Sequence, residues 1–200
     1  LNDNTTGANN VALGRNTLSL NVTTSSNVAI GHEALKANIA SNNTAVGNAA
    51  MIANTTGNAN VGVGHSAMVA NTTGVQNVAV GMYALDANTT GGYSTAIGYN
   101  ALTAATTGGQ NTAVGNSALG AVTTAEGNTA IGNNAGGAIT TGTRNVAIGN
   151  NAYQNSDTES DNIAIGVNAM NVNTAGGINN TCIGTYAGDA ITSGDNNVAL

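Results

Sequence analysis

The sequence predicts an all-β solenoid, a parallel β-roll or β-helix of about eleven coils of 17 residues, running as one continuous array over residues 1–200. Three observations predict it: a five-residue unit that recurs at near-constant spacing, side chains too small for a globular core, and a period too short for paired helices. The unit is Asn-(Thr/Val)-Ala-(Val/Ile)-Gly. Its closing glycines are Gly14, Gly31, Gly47, Gly64, Gly81, Gly98, Gly115, Gly132, Gly149, Gly166 and Gly184, with gaps of 17, 16, seven of 17, and 18. Such self-similarity marks a repeat architecture before any other reading.

The remainder of the unit is nearly as regular. Alanine stands three residues after most of these glycines, as in Ala84 and Ala101, and Leu or Met follows, as in Met68, Leu85 and Leu102. A further alanine (Ala70, Ala87) and then Thr-Thr-Gly complete the coil. In an extended pentad, side chains alternate between faces. Val78 and Val80 therefore share one face and Ala79 the other. Gly81 ends the strand with a bend, and Ala84-Leu85-x-Ala87 suggests a second short strand before a Thr-Thr-Gly turn. One coil is then two strands and two turns. Stacked coils place equal positions over one another at about 4.8 Å. The expected interior is a Val/Ile ladder and a Leu/Met ladder, with Asn and Thr ladders exchanging side-chain hydrogen bonds.

Composition excludes other classes. The chain has no Trp, Phe or Pro, and 2% aromatic residues, which cannot fill a thick core at interior density. A 17-residue unit rich in Gly, Thr and Asn does not suit two-helix repeats, which need about 33 residues or more. Nine acidic residues face three basic ones, Arg15, Lys36 and Arg144, for a net charge of −6, too few cations to neutralise a run of phosphates. The single cysteine, Cys182, excludes an intrachain disulfide framework, and no apolar run reaches the ~18 residues of a membrane-spanning helix. The chain starts at Leu1 and stops inside a motif at Leu200, which suggests a piece of a longer protein.

The pentad is apolar on both faces, as in strands buried on both sides. The small Ala79/Ala96/Ala113 column is read as the surface on which copies of the chain pack, as a homotrimer or another homo-oligomer about a symmetry axis. Asn77-Val78-Ala79-Val80-Gly81 and Asn145-Val146-Ala147-Ile148-Gly149 resemble the motif of trimeric autotransporter adhesin heads of the YadA type. The N-T-A-(I/V)-G-x-x-A-L pattern also resembles repeat regions of long phage tail fibres. The resemblance spans the whole chain and implies a left-handed, trimeric roll at the cell surface or on a virion.

No catalytic residue, cofactor site or metal site is assigned. His32 and His65 follow pentad glycines and lack companions at metal spacing, so they are read as exposed turn residues. Cys182 takes the pentad alanine position and is read as a small buried side chain. Asp157, Glu159 and Asp161 alternate in one turn, a candidate Ca²⁺ site weighed against a solvated acidic turn. The Thr-Thr columns raise an ice-binding reading, which adjacent threonines pointing opposite ways disfavour. The tyrosines are read as surface residues, Tyr83 and Tyr99 forming a candidate aromatic patch for sugars. Asn54, Asn71 and Asn88 match glycosylation acceptors through their Asn-Thr-Thr sequences. The expected role is a non-enzymatic extracellular fibre shaft that presents a distal receptor-binding region, with no nucleic-acid or membrane partner. The alternatives are an adhesin binding a cell-surface glycan or protein along its side, a self-assembling filament, and an ice-binding solenoid.

Overall fold

The computed structural model describes residues 3–172 and 176–200. It contains twelve short strands: β1 (Val11–Leu13), β2 (Val28–Ile30), β3 (Thr44–Val46), β4 (Val61–Val63), β5 (Val78–Val80), β6 (Thr95–Ile97), β7 (Thr112–Val114), β8 (Thr129–Ile131), β9 (Val146–Ile148), β10 (Ile163–Ile165), β11 (Thr181–Ile183) and β12 (Val198–Ala199). They form one parallel sheet in strict sequence order. Equal positions pair, Val80 with Ile97 and Ala79 with Ala96. The chain is therefore a solenoid, one coil per repeat. Register survives both irregular steps, since Ala29 pairs Ala45 and Ala164 pairs Cys182. The shorter step is absorbed in a turn, where Asn38-Ile39-Ala40 replaces Asn-Thr-Thr-Gly.

The strand faces are the reverse of the expectation. The pentad alanines, among them Ala79, Ala96 and Ala113, are fully buried inside the coil. The Val/Ile positions point outward, with Ile97, Ile131 and Ile183 about 40% exposed (39%, 42% and 42%). The cause is room. Opposite the strand lie the Leu/Met side chains, buried as expected. At Gly62, the one glycine among these inward positions of β2 to β10, an added Cβ would stand 2.9 Å from Met51 Cγ. A coil this narrow accepts alanine against Leu or Met, whereas a valine there would overpack it.

The second strand is also absent. Tyr83 and Leu85, flanking Ala84, have φ of 58° and 53°, and Gln76, just before the pentad, has 55°. These three positions are left-handed in nearly every coil, and none of their non-glycine occupants is Val, Ile or Thr. β-branched residues resist positive φ, so Leu and Met fill the core from this turn while Val and Ile stay in the strand. The turns are nevertheless paired coil to coil. Tyr83 N–H donates back to His65 O at 3.1 Å, and Leu85 N–H donates forward to Ala101 O at 2.9 Å. Main-chain groups are thus satisfied without a second strand.

Asparagine columns run along the interior. Asn77 is fully buried; its Nδ2 donates to Gly91 O at 2.8 Å, and its Oδ1 accepts Ser94 N–H at 2.9 Å. Asn60 repeats the pattern with Gly74 O and Asn77 N–H. A second column stacks amide on amide, Asn71 Nδ2 on Asn54 Oδ1 and Asn88 Nδ2 on Asn71 Oδ1, both at 2.7 Å. Among the described residues no hydrogen bond joins one threonine hydroxyl of these columns to another. Thr72 Oγ1 donates instead to Thr89 O at 3.0 Å.

The core conserves volume within a coil. Where glycine replaces Leu/Met at Gly136, isoleucine replaces asparagine at Ile139, and Ile139 Cδ1 lies 3.0 Å from where a Gly136 Cβ would stand. Gly188 and Ile191 repeat the exchange, with Cys182 also filling the space over Gly188. Tyr153 takes the Leu/Met position and is fully buried, contrary to a surface reading; Ser156 makes room, and Asn162 Nδ2 donates to the phenol oxygen at 2.6 Å.

Two outcomes follow for denaturation experiments. Gly136→Leu has a suitable backbone, φ 59°, but no space, and should cost about 1–3 kcal/mol. Adding Ile139→Ala, which reproduces the Leu102/Ala105 pair, should recover most of that loss. At Gly115, φ is 140° and an added Cβ would lie 2.6 Å from the carbonyl carbon of Gly132. Gly115→Val should therefore open the adjacent coils first, read as local loss of hydrogen-exchange protection; a uniform loss along the chain would contradict nearest-neighbour stacking.

Candidate functional site

The candidate residues are distributed rather than gathered. Among the described residues no three His, Cys, Asp or Glu side chains form a group that could hold a metal ion, and no pocket opens in the surface. His32 lies half-buried on a turn rather than fully exposed, with Arg15 Nε 3.3 Å from its Nε2 and Asn48 Nδ2 3.4 Å from its Nδ1. His65, in a later coil, packs its ring edge-on against Tyr83 at 5.5 Å. Cys182 is buried as expected, and burial pushes its thiol above the usual value, away from the thiolate that nucleophilic attack requires.

The acidic turn is engaged otherwise than in a metal site. The Arg144 guanidinium grips Asp161 through two bonds of 2.7 Å and holds its carboxyl below the ordinary range. Glu159 is nearly buried and turns back on the main chain, accepting N–H groups of Asp157, Thr158 and Gly176 at 3.0, 3.1 and 3.0 Å. Its carboxylate replaces the glycine of Thr-Thr-Gly and caps the turn.

Asn54, Asn71 and Asn88 are buried in the amide column, so the folded coil offers none of them to a glycosylating enzyme. Of each threonine pair, the first hydroxyl donates to the next coil and only the second residue (Thr56, Thr73, Thr90) is exposed. The column is one hydroxyl wide rather than a two-dimensional hydroxyl lattice. Tyr83 and Tyr99 do meet, edge to face at 6.3 Å, and with His65 they form a three-ring ridge beside exposed Met82.

The outer face of the sheet is a uniform surface running from coil to coil. Its paired columns are Val61/Val63, Val78/Val80, Thr95/Ile97, Thr112/Val114, Thr129/Ile131 and Val146/Ile148, with no charged side chain among them. Sequence reasoning placed these residues inside; the signal that could have placed them outside is the confinement of alanine to the alternate position. The Ala79/Ala96/Ala113 column, expected to carry contacts between copies, cannot do so, because it lines the interior.

Calcium titration is expected to give no heat and no change in melting temperature, because Glu159 and Asp161 already have protein partners; a saturable heat lost in Glu159→Ala would contradict that. Comparisons of the chain with protein-family models, with known proteins and with solved structures give no match.

Proposed function

We propose that this chain is a shaft segment of an extracellular fibre, in which copies of the solenoid pack along their outward Val/Ile faces and hold a receptor-binding region away from a surface. The observation that carries this reading is the unbroken sheet: twelve strands in sequence order and in constant register. Their stack spans roughly 50 Å at strand spacing. An even rod with coil-to-coil bonding resists bending and offers few openings to proteases. Contiguous exposed apolar surface on a protein in water marks an association site. A partner that matches it coil for coil must carry the same strand-spaced repeat, and a second copy of this chain does so. Three copies about one axis would bury all three faces, which gives the homotrimer. Among the described residues no helix is long and apolar enough to cross a membrane. The role proposed is mechanical and not enzymatic.

A second reading, an adhesive module that binds glycan along its side, is favoured by one feature, the His65–Tyr83–Tyr99 ridge on an otherwise uniform surface.

Light scattering on the purified segment should give the mass of three chains, and a stable monomer at micromolar concentration would refute the assembly. Val80→Asp with Val114→Asp should dissociate it while keeping the β spectrum, because both side chains point outward. Ala79→Asp should instead unfold the coil, since it would bury a charge, at several kcal/mol. A glycan array separates the two readings: binding lost in Tyr83→Ala and Tyr99→Ala favours the adhesive one.

A further inference from the structure

The two asparagine columns converge on one carbonyl per coil, and in one coil both are interrupted. Gly74 O accepts Asn60 Nδ2 at 2.8 Å and Asn71 Nδ2 at 3.1 Å. Gly91 O accepts Asn77 Nδ2 at 2.8 Å and Asn88 Nδ2 at 3.1 Å. One coil further on, Ser94 stands in the first column and Ala105 in the second, each 1% exposed. Neither can deliver an amide to the buried carbonyl of Gly108. The loss is felt on the other side too: Asn88 Oδ1, in a residue 1% exposed, has no hydrogen-bond partner, whereas Asn71 Oδ1 accepts Asn88 Nδ2.

These oxygens surround the same place. A Cβ built on Gly91 would lie 2.6 Å from Asn88 Oδ1 and nearer still to Gly108 O. At the matching points on Gly57 and Gly74, the third neighbour is the Nδ2 of the next coil's asparagine, at 2.9 and 2.8 Å. At Gly91 that nitrogen is missing, because Ala105 carries no amide. The Ser94 hydroxyl accepts Asn111 N–H at 3.2 Å and retains its own proton to donate. The coils beyond differ: Ala125 O and Gly142 O each regain one amide, from Asn111 and Asn128, both at 2.8 Å.

We infer that a single buried water is bound at this break, in the room that an asparagine amide would fill beyond the Ala105 methyl group, donating to Asn88 Oδ1 and Gly108 O. Buried waters bind where otherwise unpaired polar atoms supply two to four partners, and this place supplies two. An unpaired buried carbonyl or amide oxygen is costly, so the water joins the polar columns to the apolar column that begins at Ala105 and continues through Val122 and Ile139. A metal cation is a poor occupant: two neutral oxygens without a carboxylate are far short of the set of oxygens that Ca²⁺ takes.

The test is a high-resolution crystal structure of the segment in its assembled state, with the variants Ala105→Asn and Ala105→Val. The expected result is one water within hydrogen-bonding distance of both Asn88 Oδ1 and Gly108 O, and its loss in Ala105→Asn, whose amide takes its place and raises the melting temperature. Ala105→Val fills the same space without a donor, as Val122 does one coil on, and should melt below Ala105→Asn. No density at a resolution where other buried waters are visible would overturn the inference. So would a peak that exchanges for rubidium by anomalous scattering, or a valine variant as stable as the asparagine one. Should Ala105→Asn fail to fold, the density in the unaltered chain decides alone.

Discussion

The closeness of successive coils at the pentad glycines is the constraint on which the rest of the molecule depends. At each junction the glycine backbone, with φ near 130–141°, lies against the carbonyl of the glycine one coil on, and an added Cβ would fall inside that carbonyl group in coil after coil. Only glycine meets both demands, the conformation and the approach. Once the glycines are stacked, the three strand residues before them are aligned at strand spacing. Alignment of the strand fixes where each asparagine amide points. An error of one residue would move both amide columns off their carbonyls and turn every alanine outward, so register is specified at several places in the same coil.

Within that frame the coil is a shell around a core one side chain thick. A typical layer holds an alanine from the strand, an alanine and a Leu or Met from the turn, and an asparagine or a residue that substitutes for it. Because layers are so small, substitutions compensate inside one coil or with its immediate neighbour, as Gly136 with Ile139 and Gly188 with Ile191 and Cys182. A globular core would spread such a change over many residues. Here the neighbours are few, which makes stability close to a sum over coils. The buried amides add specificity at some risk: each column is favourable while it continues, and where it stops, as after Asn88, a polar atom is left to be satisfied by something else.

The same economy leaves the outside plain. Charges lie outside the strands, and two pairs form locally among the described residues, Lys36 with Glu33 and Arg144 with Asp161. Exposed pairs of this kind contribute little to stability. They do influence which surfaces can meet, since on the charge-free sheet face association carries no cost of stripping water from ions. Among the described residues the aromatic ridge at His65, Tyr83 and Tyr99 is a departure from the repeat that runs across three adjacent coils.

Much of this was legible in the chain itself. The spacing of Gly14 through Gly184 determined one coil per repeat, parallel pairing and the Leu/Met core, because a ladder needs nothing more than equal positions at equal intervals. The pairing of Gly136 with Ile139, and the exclusion of Val, Ile and Thr from the left-handed positions, were also written there, though they acquire meaning only once φ and contacts are known. Which strand face is inside was settled by tertiary structure, although the confinement of alanine to one face pointed the same way. Alternation separates Ala79 from Val78 and Val80, and in that coil all three are apolar, so that hydrophobicity gives a sign to the choice only through the threonines at the equivalent of Val78, such as Thr95, Thr112 and Thr129. The coil decides it by volume: a ring of 17 residues with Met or Leu already inside has room for a methyl group opposite and not for a branched side chain.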